Sequence, residues 1–405
     1  MKVVIVGGGI GGLVTSLVLH EAGIGCEVHE RSSEMRELGV GINLLPHAVA
    51  PLAELGLLDR LTATAVETGE LRYAHRLGQE IVRRPCGRDA GHPVPQFSIH
   101  RGRLLTLLYD AARERGIPVH TGLRLTEFTQ DGGSVRARFA DGAGEADGDV
   151  LIGADGIHST MRAALFPDEG APRWNGVLMW RGATDWPAYL DGRTMIVSGG
   201  TAAKLVLYPI AAGETPRTRL TNWAICVSTA PPGTPPPVRA DWTRPGDLDE
   251  ALSHLERFRS PYLDVAGLVA ATPAFYEYPM CDRDPLPYWT HGRVTLLGDA
   301  AHPMYPMGSN GAGQAILDAV TLRDRLLEEP DPAAALRAYD AIRRPATAEV
   351  VLRNRVGGPE RVIDEVERRA PDGFTRLADV IDDATINEIL SGYQAATARF
   401  SPRAR

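Results

Sequence analysis

Val3-Val4-Ile5-Val6-Gly7-Gly8-Gly9-Ile10-Gly11-Gly12 stands at the head of the chain, and the architecture follows from these ten residues. Four consecutive apolar residues read as a buried strand. The G-x-G-x-x-G that follows reads as a tight turn into a helix over 10–22, and 25–29 reads as a second strand. A strand, helix and strand within about 30 residues form a βαβ unit with parallel strands and a right-handed crossover. Gly7 permits the turn, Gly9 lets backbone approach a pyrophosphate, and Gly12 allows the helix to pack closely on the strand. The free N–H groups and positive dipole end of the helix face the phosphates. Glu30 ends the second strand, where a carboxylate accepts both ribose hydroxyls and repels a 2′-phosphate. Taken singly, the glycines are a turn and Glu30 a surface acid. In register, they predict a dinucleotide site that suits FAD or NAD.

The rest of the composition narrows the field. The chain has 405 residues, 44% apolar, enough for more than one hydrophobic centre. A formal net charge of -8 gives no electrostatic reason to bind nucleic acid or an anionic membrane. No apolar run approaches membrane-spanning length, and the short run at 3–6 ends in glycines rather than a cleavage pattern. Cys26, Cys86, Cys226 and Cys281 lie far apart with no C-x-x-C. That spacing argues against a disulfide framework, a metal site or a dithiol centre, and fits a reducing cytoplasm.

Between about 171 and 280 the chain changes character. Residues 176–181, 194–197, 204–208 and 220–228 are rich in β-branched and aromatic residues, with turn residues between them. The stretch 230–237 (APPGTPPP) is a proline-rich loop. These features predict a separate, largely antiparallel sheet. A short strand returns at 293–297, and the chain reads as helical from Ala312, with a frayed tail at 400–405. The expected fold is α/β: a Rossmann-like nucleotide-binding domain (1–72, 98–170 and 282–345) interrupted by a β-sheet substrate domain (73–97 and 171–281), then a helical region at 346–405.

Two further segments decide between the nucleotides. Gly153-Ala154-Asp155-Gly156-Ile157-His158-Ser159 follows the apolar run 150–152, and Gly298-Asp299-Ala300-Ala301-His302 follows 294–297. Each places an Asp near a helix start, where one alone is an ordinary cap. In this order behind the opening motif, the three segments resemble the fingerprints of the aromatic hydroxylase family of flavoprotein monooxygenases. Stretches such as 38–46, 98–104, 179–182, 190–197 and 278–318 are similar to its members that act on methylphenazine carboxylates and salicylate, with the likeness weakening after about Thr347. The resemblance implies FAD as cofactor. Gly7, Gly9, Gly12 and Glu30, with Arg31 beside it, would hold the ADP half. Arg101 would contact FAD, Asp155 would lie behind the pyrophosphate, and Asp299 would hold the ribityl chain. Pro306 would lie near flavin C4a. The family continues to an Asn seven residues beyond that Pro, where this chain has Gly313. The flavin-ring contact then passes to backbone around Gly308, Asn310, Gly311 and Ala312.

The family reaction is also implied: NADH or NADPH reduces the flavin transiently, and O2 gives a C4a-hydroperoxide that hydroxylates a small aromatic substrate. If the attacked carbon bears a carboxylate, CO2 leaves. No second nucleotide-binding unit, Ser-His-Asp pattern or metal cluster is visible. Trp180, Tyr208, Trp223, Tyr278, Tyr305 and Met307 are candidates for the substrate cavity, with core packing as the alternative for each. Arg181 reads as a sheet-edge salt bridge or as the partner of a substrate carboxylate. His302 reads as packing beneath its turn rather than as a base. Epoxidation and Baeyer–Villiger insertion share the scaffold, as do non-oxygenase FAD reductases. A flavin halogenase would need W-x-W-x-I-P, which is absent. Monomer and homodimer both remain open.

Overall fold

The computed structural model describes residues 1–35, 40–237 and 244–398. The stretches 36–39 and 238–243 and the tail at 399–405 lie outside the described residues, and with them the fraying expected at 400–405. Five parallel strands form the first sheet, in the order Val294–Leu296, Val150–Gly153, Lys2–Val6, Gly25–His29, Val119–His120. Val3, Val4 and Ile5 are fully buried, as a central strand covered on both faces requires. On one face, Leu13, Val14 and Leu17 of helix Ile10–Glu21 pack with Leu52, Leu108, Ile316 and Val320. On the other, Leu125, Val135 and Ala137 of a small antiparallel sheet close over Val4 and Val150.

The chain then leaves this sheet. Seven strands form a second one, in the order Phe275–Asp282, Arg173–Pro187, Thr218–Ser228, Ala203–Ala212, Thr194–Ser198, Glu70–Ala74, Glu80–Pro85. It is antiparallel except where Thr194–Ser198 runs parallel to Glu70–Ala74. Its two faces do different work. Trp180, Trp223 and Ile225 lie under helices Leu248–Leu255 and Val265–Ala270, with Leu268 and Val269. On the reverse face Val177, Met179, Ala224, Cys226, Tyr278 and Met280 pack against Tyr305 and Met307. The chain returns through Val294–Leu296, which pairs parallel with Val150–Gly153. Helices Gly311–Glu328, Pro332–Arg355, Arg361–Arg369 and Asp383–Ala398 follow.

The expected α/β fold, with a β-sheet insertion and a helical C-terminus, is the one observed. The expected segment boundaries fall differently. Those at 72/73 and 281/282 cut strands Glu70–Ala74 and Phe275–Asp282, which pair along their lengths within the seven-stranded sheet. The one at 97/98 cuts strand Phe97–His100. The one at 345/346 lies inside helix Pro332–Arg355, which continues through Pro345.

Candidate active site

The glycines of the opening motif have distinct structural reasons. Gly7 has φ +111, and a Cβ there would stand 2.2 Å from the Ala154 carbonyl oxygen. A Cβ on Gly12 would stand 1.9 Å from the Gly7 carbonyl oxygen. Both positions are closed by neighbouring backbone. A Cβ on Gly9, the N-cap of helix Ile10–Glu21, would meet nothing within 4 Å, and that cap has no side-chain hydrogen bond. The helix therefore presents bare backbone donors to open space. Glu30 reaches back over this turn, accepting the Gly8 N–H at 2.7 Å and the Ser32 N–H at 2.8 Å. Arg31 beside it is exposed.

Asp155 and Asp299 differ. Asp155 Oδ2 accepts the Thr160 N–H at 2.7 Å, while Oδ1 is buried without a partner. Burial pushes its carboxyl above the ordinary range against those hydrogen bonds. The helix cap itself is Ser159, which accepts from Arg162. Asp299 sits in the turn Gly298–Ala300 and is exposed to solvent, yet protein packs around it densely enough to push its carboxyl up. Arg101 shares this condition: exposed, yet with its guanidinium pushed down by the surrounding protein. Each feels the other's charge as a stabilising influence. Solvent access combined with dense surroundings describes the floor of a deep cleft.

His302 lies beneath this floor. Its Nε2 is 2.5 Å from Asp318 Oδ2, and Asp318 Oδ1 accepts from Arg343 Nε at 2.7 Å, all three buried. Burial would raise the Asp318 carboxyl, but His302 and Arg343 overcome it and hold it below the ordinary range. His302 is thus a packing residue, as its place in the motif suggests.

The loop after the turn is held from a distance. Gly308 has φ +66 and Ser309 has φ +55, a left-handed pair that needs outside support. Asn310 Nδ2 donates to Gly308 O at 2.9 Å and to Tyr393 Oη at 3.0 Å, and Tyr393 Oη contacts Met307 O at 2.9 Å and Asn354 Oδ1 at 2.8 Å. Glu360 Oε1 accepts the Gly308 N–H at 3.3 Å while Oε2 pairs with buried Lys204. Gly311 and Ala312 open helix Gly311–Glu328, and a Cβ on Gly311 would meet nothing within 4 Å. At Gly313 a Cβ would stand 2.8 Å from His47 Nε2, so the imidazole fills the room an Asn side chain would need.

Of the cavity candidates, Tyr208, Tyr278, Tyr305, Met307 and Arg181 are brought to one side. The hydroxyl of Tyr208 and Nη2 of Arg181 both donate to Gly41 O, at 2.7 and 2.6 Å. Trp180 and Trp223 are not there. Both are fully buried on the opposite face, because Trp180 neighbours Arg181 on one strand and successive side chains alternate. The sheet-edge salt bridge for Arg181 is also absent: it makes no ion pair among the described residues.

Tyr393, Asn354, Glu360 and Arg162 escaped sequence reasoning. Arg162 is buried and donates to the carbonyls of Ala300 and Ala301 at 3.0 and 2.8 Å, tying the Asp155 segment to the Asp299 turn. Its only signal was a place three residues after Ser159, itself unremarkable. Elsewhere, Glu27, His29 and His120 bring ligand atoms within 4.8 Å of one another, but the Lys2 ammonium already lies 3.0 Å from the Glu27 carboxylate.

The residues present fit FAD. The helix start at Gly9 offers bare donors and open space, Gly311 likewise opens its helix without obstruction, one Asp155 oxygen is partnerless, and Asp299 and Arg101 are accessible and feel each other's charge. Comparison with known proteins agrees. The FAD binding domain family profile matches residues 1–198 and 283–354. The chain is 44% identical over 363 residues to the phenazine 1,6-dicarboxylic acid hydroxylase PhzS of Lysobacter antibioticus, covering 87% of this chain and 89% of that one. It is 34% identical to the 3-amino-4-hydroxybenzoate 2-monooxygenase PtnB3 of Streptomyces platensis, covering 98% and 96%. HpxO of Klebsiella pneumoniae, solved with FAD and uric acid, superposes with a TM-score of 0.73 at 25% identity, covering 98% of this chain and 93% of that one.

Proposed function

This chain belongs to the FAD-dependent aromatic hydroxylases, the class A flavoprotein monooxygenases, and from that premise we propose that it spends NADH or NADPH and O2 to hydroxylate a small aromatic acid. One observation carries the reading: Arg101, which feels the charge of Asp299, also feels Arg181 and Tyr278 of the seven-stranded sheet, whose apolar face packs against Tyr305 and Met307. Bound FAD supplies the redox chemistry and the activation of O2. The chain's residues bind, orient and exclude water.

In this reading Gly7, Gly9 and Gly12 bring backbone to the pyrophosphate, and Glu30 takes the ribose. Asp155 stands behind the pyrophosphate and Asp299 holds the ribityl hydroxyls. Pro306, Gly308, Asn310, Gly311 and Ala312 carry the ring edge, where the first helical N–H groups stabilise negative charge. Met179, Tyr278, Tyr305 and Met307 form an apolar wall that keeps water from the reacting carbon. Overall, the ring gains one oxygen atom, the second leaves as water, and NAD(P)H is oxidised. When the attacked carbon carries a carboxylate, that group departs as CO2 in place of a proton. The relatives' names, a phenazine dicarboxylic acid and an aminohydroxybenzoate, support a ring acid. Free thiols at all four cysteines support action in a reducing compartment such as the cytoplasm.

The test is NADH and NADPH oxidation by FAD-loaded protein against ring compounds with and without carboxylates, with product masses. Stimulated turnover with one oxygen gained supports hydroxylation, and CO2 loss alongside it supports the decarboxylative form. Flavin reduction that no ring compound accelerates would count against an oxygenase.

A further inference from the structure

We propose that Arg181 is the anchor for the carboxylate of the ring substrate, and so sets the preference for ring acids over neutral rings. The inference rests on the monooxygenase reading and adds to it the group that selects the substrate.

Lys204 and Arg181 stand on the sheet face that carries Met179 and Tyr278. Strand register puts Lys204 opposite Cys226 and Arg181 opposite Ala224, both on the side of Met179 and Tyr278. Lys204 is neutralised by Glu360. Among the described residues Arg181 is not neutralised: Nη1 donates to the Tyr278 hydroxyl at 2.8 Å, Nη2 donates to Gly41 O at 2.6 Å, and Nε is buried with no partner. Its hydrogen-bond partners are both uncharged. A guanidinium has five N–H donors in a planar fork, and the two bonds formed leave the rest of the fork unused. A cation enclosed by protein without a counter-charge is costly, and a carboxylate entering the cavity relieves that cost.

The surroundings favour a flat acid. Met179, Tyr278 and Met307 offer apolar and aromatic surface for a ring, while the Tyr208 hydroxyl lies beside the guanidinium on the same carbonyl. The two neutral bonds fix the fork in place before any ligand arrives, so little side-chain freedom is lost on binding. Asp299 feels the charge of Arg101, and among the described residues no acid is one of the groups that act on Arg181.

The experiment compares acids with their amides. Holoenzyme is titrated with phenazine-1-carboxylate, 3-hydroxybenzoate and 3-amino-4-hydroxybenzoate, and with the three matching carboxamides, following the flavin absorbance change. Arg181→Lys and Arg181→Gln are titrated in parallel. At least one acid should bind roughly 30-fold tighter than its amide, the worth of one charge-assisted pair. Arg181→Gln should erase that ratio, and Arg181→Lys should keep part of it. A merely structural arginine would weaken acid and amide equally and leave the ratio intact, which overturns the assignment. So would amides binding as well as acids throughout the wild-type panel, or a loss of FAD rather than of ligand in Arg181→Gln. Failure of the monooxygenase reading looks different: acids bind through Arg181 but none stimulates NAD(P)H oxidation.

Discussion

Replacing Tyr393 by phenylalanine removes one hydroxyl and tests whether the C-terminal helix holds the flavin-side loop. That hydroxyl touches Met307 O at 2.9 Å, Asn354 Oδ1 at 2.8 Å and Asn310 Nδ2 at 3.0 Å. It has one proton to give and accepts from Asn310, so two hydrogen bonds at most disappear. Asn310 keeps its bond to Gly308 O, but the polar atoms left behind are buried. Leaving a buried acceptor unpaired costs about 1–3 kcal/mol. The cost falls on a segment already strained at Gly308 and Ser309. If the loop must adopt its present form to hold FAD, about 2 kcal/mol appears as a roughly 30-fold rise in the FAD dissociation constant. Fluorescence titration of the apoprotein with FAD measures it, with urea unfolding of the same preparations as the control. A dissociation constant within twofold of wild type, together with an unchanged unfolding midpoint, would show that the strap does not hold the loop.

Gly12→Ala places a methyl 1.9 Å from the Gly7 carbonyl oxygen, and since that oxygen belongs to backbone and cannot swing aside the strand–helix turn must open. The variant should lose visible flavin on purification and unfold about 1–3 kcal/mol more easily, an overpacking cost read from urea melts. Glu360→Gln strips the counter-charge from buried Lys204 and should cost about 3–5 kcal/mol, whereas the double change Lys204→Met, Glu360→Gln should regain much of it. Burial pushes the His47 imidazole from 6.5 down to about 4. The unfolded chain therefore binds the extra proton first, and this contribution to stability is whole above pH 6.5 and falls away as the pH drops toward 4. Between pH 7.5 and 5 the loss is about 2 kcal/mol, and His47→Gln should flatten that part of the urea-melt profile.

The sequence announced what is local. The turn at Gly7 to Gly12, the acid at Glu30 and the motifs around Asp155 and Asp299 each lie within a few residues of the element they terminate, so a short window contains their reason. The cavity wall was less legible. Trp180 and Arg181 were both expected to line it, yet neighbours on a strand face opposite ways, and only knowing which face the helices cover decides between them. The support for the 307–310 loop was not legible at all. Tyr393 lies 83 residues beyond Asn310, and no spacing rule connects them. Gly313 looked like a missing contact, whereas the structure shows His47, from another helix, occupying the space.

The return of Val294–Leu296 to the side of Val150–Gly153 has a consequence for biosynthesis. Until residue 296 has left the ribosome, the 150–153 strand is a sheet edge with unpaired backbone groups. At ordinary translation speeds that interval lasts roughly 7–30 s, long enough for a nascent chain to pair wrongly with its neighbours. Nascent chains stalled before the returning strand should therefore be easily cut by protease between the first and fourth strands of the parallel sheet, and resist once it has been made. The order in which this enzyme is written thus leaves its parallel sheet unfinished until the chain has passed residue 296, with the 150–153 edge open in the meantime.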